Sequence, residues 1–177
     1  MTDEKNHYIV VTGIIIKKGK YLITKRSLKE AAFPGLWTVP GGKLRRSDYA
    51  DLPKDTADHW YNVLERLLER EIEEEAGVKI KNIRYLLSLA YLRSDGIPTV
   101  ILSFYCDYNG GEVKLSDELI DCTWVTIEEL EKYKLVPGLR EEIELVDKTL
   151  KEGKQDVWQG KYDSNSDNSL RDGYGIE

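Results

Sequence analysis

The densest chemical signal in the chain is an acidic run, Arg70-Glu71-Ile72-Glu73-Glu74-Glu75-Ala76-Gly77-Val78. Glu-rich helices commonly present a solvated charged face, so helical phase decides what these acids can do. At about 100° per residue with Glu71 at zero, Glu74 falls near −60° and Glu75 near +40°. Leu64, Leu67 and Leu68 fall at about +20°, −40° and +60° on the same wheel. Glu71, Glu74 and Glu75 therefore continue the apolar face, while Asn62, Arg66, Glu69 and Glu73 lie opposite. Three carboxylates turned toward the body of a protein repel one another and lose hydration. Either a cation joins them, or one stays protonated, or Arg and Lys satisfy them as an ion-pair network. Oxygen-only ligands of this kind suit Mg²⁺ or Mn²⁺, and the adjacent Arg70 can hold a carboxylate in a fixed orientation.

A second segment weighs in favour of the cation. Trp37-Thr38-Val39-Pro40-Gly41-Gly42-Lys43-Leu44 reads as a short strand ending in two glycines. Gly41 and Gly42 let backbone N–H groups approach an anion closely. A glycine turn ahead of an inward-facing acidic helix end is a sensible way to hold a metal diphosphate. Together the two segments resemble the Nudix box, G-x5-E-x7-R-E-U-x-E-E-x-G-U with U a bulky aliphatic residue. The second half matches at every defined position through Val78, and the likeness extends over about residues 8–150. One departure stands out. From Gly42 the first acid of the pattern falls on Asp48, but Arg70 follows after 21 residues, making this spacer about 14 residues longer than the family's.

The resemblance implies a Nudix hydrolase, which cleaves a diphosphate bond in a nucleoside diphosphate linked to another group and requires a divalent metal, usually Mg²⁺. By resemblance Glu74 and Glu75 are metal ligands, Glu71 is a further ligand or helps activate water, Arg70 orients the glutamates, and Gly42 brings its carbonyl near the metal. Glu118, six residues before Trp124, is the candidate for the family's later-loop acid, with Asp117 and Asp121 as rivals. Arg26, at a strand end near the glycines, is the best candidate to meet substrate phosphate, ahead of Arg45 and Arg46. Trp37 is a candidate to stack on a base, against an ordinary role in core packing; Tyr91 and Tyr133 carry the same two readings. His7 and His59 show no triad or metal spacing.

Where the ADP-ribose class of the family carries a proline, this chain has Leu92, and where the dinucleoside-polyphosphate class carries a tyrosine it has Arg93, Ser94 and Asp95. Elimination leaves a nucleoside triphosphate, oxidised forms such as 8-oxo-dGTP included. The alternatives are a nucleotide-sugar or ADP-ribose pyrophosphatase and a non-catalytic nucleotide-binding module of the same fold. A prenyl-diphosphate isomerase is disfavoured, because neither Cys106 nor Cys122 stands in an Asn-x-x-Cys context.

These residues need a scaffold. Tyr8–Ile16 and Tyr21–Lys25 read as a β-hairpin, Ser27–Gly35 as a loop, and Leu36–Val39 as a short apolar stretch. Tyr49–Thr56 reads as a loop, with a helix from about Ala57 to Ala76 capped by Asp55 or Thr56 at its start and Gly77 at its end. Lys79–Tyr91 reads as one or two strands, Pro98–Tyr108 as a central strand and Cys122–Val125 as a short one. Thr126-Ile127-Glu128-Glu129 is a capping box for a short helix. Leu139, Ile143, Val146 and Leu150 form the stripe of an amphipathic helix. The order predicts an α/β fold, a mixed sheet with helices on its faces, arranged as a Nudix-like α/β/α sandwich over residues 1–153 with a polar, irregular tail over 154–177.

Composition agrees. With 41% hydrophobic and 33% charged residues, the 177-residue chain is an ordinary globular domain rather than a disordered one. A net charge of −6 disfavours binding to a nucleic-acid backbone but leaves a small anionic nucleotide accessible through a bound cation. The longest apolar run, Tyr8–Ile16, is too short for a membrane span. Two cysteines and no signal-peptide pattern make the cytoplasm the expected compartment, and a homodimer is left open.

Overall fold

The computed structural model describes residues 5–153; the expected tail over 154–177 lies outside the described residues. Seven strands form one mixed sheet: β1 (Tyr8–Lys17), β2 (Lys20–Arg26), β3 (Trp37–Thr38), β4 (Gly41–Lys43), β5 (Val78–Leu92), β6 (Pro98–Gly111) and β7 (Leu119–Val125). The main path runs β3-β2-β1-β6-β5, with β4 also on β1 and β7 on β2. β1 and β6 run parallel in unbroken register from Tyr8 opposite Thr99 to Ile16 opposite Asp107. β5 and β6 form a long antiparallel pair, so the Lys79–Tyr91 segment is one strand. No helix among the described residues is long and apolar enough to cross a membrane.

β1 alternates between two cores, as a strand buried on both faces must. Val11 and Ile15 pack with Leu67, Leu68 and Ile72 of α1 (Val63–Ala76). Ile14 packs on the opposite face with Leu139, Ile143 and Val146 of α2 (Leu139–Glu152). Two helices therefore flank one sheet, the expected α/β/α layering. On α2 the stripe ends differently from its sequence reading: Thr149 is buried and Leu150 is exposed. The helix turns its final apolar residue away from the sheet before stopping at Gly153, whose φ is +64°.

The start of α1 is a correction. It begins at Val63, not near Ala57. Asp55 does not cap it; its carboxylate accepts from the Tyr61 N–H at 2.9 Å and pairs with Arg66 at 3.1 Å. Thr56 caps a local turn instead, its hydroxyl accepting from the His59 N–H at 3.0 Å. Trp60 donates to the Leu52 carbonyl at 2.9 Å and packs edge-on against Tyr49. Those ties hold the residues between Asp48 and Val63 as a compact loop. The capping box at Thr126 is half realised: Glu129 accepts from the Thr126 N–H at 2.9 Å, and a 3-10 turn over Glu128–Lys132 follows.

Candidate active site

α1 ends against β4: the two glycines expected to form a turn instead pair with Val11 and Thr12 of β1 as a short strand. Ile72 and Leu68 press so closely on β1 that a Cβ at Gly13 would lie 2.8 Å from Ile72 Cδ1. At that separation Gly41 and Gly42 meet the acids directly. The Gly41 N–H donates to Glu75 Oε2 at 3.1 Å. A Cβ at Gly42 would stand 2.1 Å from Glu71 Cδ, so only glycine leaves room for that side chain. Gly77, with φ at +69°, closes the helix as its type requires.

Arg70 gathers the carboxylates. Its guanidinium donates to Glu74 at 2.7 Å, Glu71 at 2.8 Å and Asp48 at 3.0 Å. Asp48 is itself held by the Arg45 N–H at 2.6 Å. The long spacer thus leaves Asp48 joined to the box rather than displaced from it. Glu71 and Glu75 are partly buried, as the helical phase predicts, whereas the Glu74 side chain is 57% exposed. At the margin of the apolar face, Glu74 is drawn outward by Arg70.

Burial raises the Glu71 carboxyl above the ordinary range, Arg70 opposes this, and Glu74 adds to it. Burial pushes Glu75 up to about 7; the charges of Glu118 and Glu71 add to that push, while the Gly41 N–H and Arg26 resist it. Glu118 sits on the exposed loop before β7, near enough for its charge to be felt at Glu75, and its carbonyl accepts from the Ser27 N–H at 2.8 Å. Its rival Asp121 turns onto the Cys122 N–H at 2.8 Å.

Among the described residues, no three acidic, His or Cys side chains converge as a ready metal cluster. Glu71 and Glu74 are turned onto Arg70, and Glu75 onto Gly41. The donor chemistry nonetheless fits a hard divalent cation: the donors are all oxygen, partly desolvated and mutually repelling, and Glu75 lacks a full counter-charge.

An open cavity leads away from Glu75. Arg26, Gly41 and Lys43 border it beside that carboxylate, and Phe33, Leu119 and Val136 give it apolar walls. Arg26 is braced by the Ala32 carbonyl at 2.7 Å and by Glu30 at 2.8 Å. Tyr91 reaches the cavity. Trp37 does not line it; its ring packs edge-on against Tyr133 at 4.9 Å in the α2-side core. His59 hydrogen-bonds within the spacer loop and His7 to the Lys5 carbonyl, both far from any role here. Lys43 and Glu142, also on the cavity wall, were not singled out by the sequence. Lys43 follows the glycines directly, a signal that was present; Glu142 looks like any helix-start acid.

The NUDIX domain model matches residues 7–146, and the chain belongs to that family. Nucleoside triphosphatase NudI of Escherichia coli K12 is 28% identical over 147 residues, 77% of this chain and 94% of that protein. NAD-capped RNA hydrolase NudC of Chromobacterium violaceum is 30% identical over 128 residues, 71% of this chain; the match spans 38% of NudC's own length. The MutT protein of Methanosarcina mazei Go1 superposes with a TM-score of 0.62 at 26% identity, covering 85% of this chain and 99% of that one. Family and site together define a Nudix-type nucleotide pyrophosphohydrolase.

Proposed function

We propose that this enzyme hydrolyses a phosphoanhydride bond of a nucleoside triphosphate, oxidised forms included, with Mg²⁺ or Mn²⁺ as cofactor. The observation that carries the reading is Glu75: a carboxylate pushed to about 7 by burial, facing Glu71 and Glu118, on the wall of an open cavity. A site that gathers partly compensated acid on the wall of an open cavity suits a cation that arrives with its ligand. The likeness to a nucleoside triphosphatase, over 94% of that protein's length, supports the substrate class.

Glu71, Glu74, Glu75 and the Gly42 carbonyl would hold the metal, and Glu118 would complete its surroundings. When bound, a divalent ion neutralises charge on the phosphate oxygens and eases the departure of the leaving oxygen. The protein's own groups do the rest. Arg70 fixes Glu71 through Oε1, leaving Oε2 turned toward Gly42 as the atom that accepts a proton from the attacking water. Arg26 and Lys43 bind nonbridging phosphate oxygens.

The test is pyrophosphate and phosphate release from a panel of nucleoside triphosphates, 8-oxo-dGTP, nucleotide sugars, ADP-ribose and dinucleoside polyphosphates, with Mg²⁺ or with chelator. Triphosphate turnover that needs metal and vanishes in the Glu74→Gln, Glu75→Gln double variant is expected. Turnover confined to nucleotide sugars or ADP-ribose overturns the substrate class. No turnover, in a folded protein that Mg²⁺ does not stabilise, overturns the reaction.

A further inference from the structure

Glu142 has no part in the chemistry above, yet it lines the same cavity as Glu75. It lies in the first turns of α2, its N–H donating to the Gly138 carbonyl at 3.1 Å. Its carboxylate is held from the sheet: Thr12 donates to Ser103 Oγ at 3.3 Å, and Ser103 donates in turn to Glu142 Oε2. In its ionised form the Glu142 carboxylate ends this relay as an acceptor. Burial raises its carboxyl above the ordinary range, the Ser103 hydroxyl opposes this, and the charge of Glu141 adds to it.

The sheet fixes how far this acid stands from the reaction centre. Thr12 pairs with Gly41 on one side and with Ser103 on the other. Glu75 is bonded to Gly41 and Glu142 to Ser103, so their anchors lie two strand spacings apart, about 10 Å. A span of that order suits a nucleoside lying across β1, with its phosphates toward Gly41 and its base edge toward Ser103. The apolar surface of Val136, Pro137 and Leu139 flanks the Glu142 end.

We propose that Glu142 reads the base, and that the base it selects presents the guanine edge. An ionised carboxylate only accepts hydrogen bonds. Guanine and 8-oxoguanine offer a ring N–H and an exocyclic amino group side by side. Adenine and cytosine set an acceptor nitrogen beside their amino group, and uracil flanks its ring N–H with two carbonyls. Each of these turns lone pairs toward the carboxylate and leaves it poorly paired where it is partly desolvated. The assignment rests on the nucleotide reading above and narrows it.

Calorimetric binding of GMP, 8-oxo-GMP, AMP, CMP and UMP in Mg²⁺, alongside kcat and KM for the matching triphosphates, tests it. GMP or 8-oxo-GMP should bind tightest; the two arms separate the normal base from the oxidised one. Glu142→Gln, which puts an amide N–H where guanine needs an acceptor, should cut the guanine-to-adenine affinity ratio by about tenfold or more, read in KM rather than kcat. Ser103→Ala should cut it less and serves if Glu142→Gln fails to fold. A wild type without guanine preference, or variants that weaken all bases alike, overturns the proposal. Guanine binding that depends on Glu142 in a protein without triphosphatase activity would keep this assignment and remove the hydrolase reading; base-blind hydrolysis would do the reverse.

Discussion

Arg70 bridges three carboxylates with one planar group, and the site's geometry depends on that shape. Lysine carries the same charge but offers a point donor that cannot reach Asp48, Glu71 and Glu74 together. Arg70→Lys should therefore keep the fold, leave the melting temperature within a few degrees, and lower kcat/KM by about 10- to 100-fold through misplaced glutamates. Steady-state kinetics beside a thermal melt checks this; unchanged kinetics would mean that the bridge is only a surface ion pair. At this scale the sequence was readable where residue type and helical phase agree. Glu71 and Glu75 fall on the apolar side of α1, and the structure puts them there. Glu74 was misread as inward because a wheel has no width: at the margin of the face, the pull of Arg70 decides. Glu142 was unreadable, because its meaning comes from Ser103, 39 residues earlier in the chain, brought opposite it only by the sheet.

The two glycines of β4 give the sharpest contrast at the level of elements, since each makes room for a different neighbour. A Cβ at Gly41 would meet the Val11 carbonyl oxygen at 2.1 Å, a backbone atom inside the sheet. The nearest atoms to a Cβ at Gly42 all belong to the Glu71 side chain, which can swing away where a backbone atom cannot. Gly41→Ala should cost about 2 kcal/mol or more of stability by forcing β4 off β1. Gly42→Ala should melt close to wild type yet lose activity by about 100-fold, because the displaced Glu71 leaves Arg70. Denaturant unfolding and kinetics on both variants separate the two effects, and equal destabilisation by both would contradict the assignment. The elements themselves were legible wherever apolar periodicity was long: β1, β6, α1 beyond Val63, and α2. The start of α1 was not, because Asp55 and Thr56 are good caps in isolation. Here they are spent on Tyr61, Arg66 and His59, and Trp60 pins the chain to Leu52. A tertiary anchor of that kind leaves no periodic trace.

Across the whole molecule, the buried acids proposed to serve the site cost the fold stability once they ionise. Glu75 titrates at about 7 in the folded chain against an ordinary 4.5. Between those two values the folded state binds more protons than the unfolded chain, so stability must fall as pH rises through the interval. Below the lower value the penalty is absent, because both states are protonated; above the upper one it is complete, at about 3 kcal/mol as an upper bound. Glu71 and Glu142 are raised by burial as well and push in the same direction. In chelator the melting temperature should therefore drop between about pH 5 and about pH 8, and Glu75→Gln should flatten that drop and stabilise the alkaline protein. Adding Mg²⁺ should reverse the picture. The ligands proposed for it are deprotonated carboxylates, so stabilisation by metal should grow as pH rises through the same interval, and Glu75→Gln should lose most of it. Thermal melts of both proteins across this range, with Mg²⁺ and with chelator, decide the matter. A wild type whose metal-free stability climbs with pH in step with the variant would mean that Glu75 is satisfied inside the protein, and that the acidic face of α1 is an ion-pair network rather than a place kept for a cation.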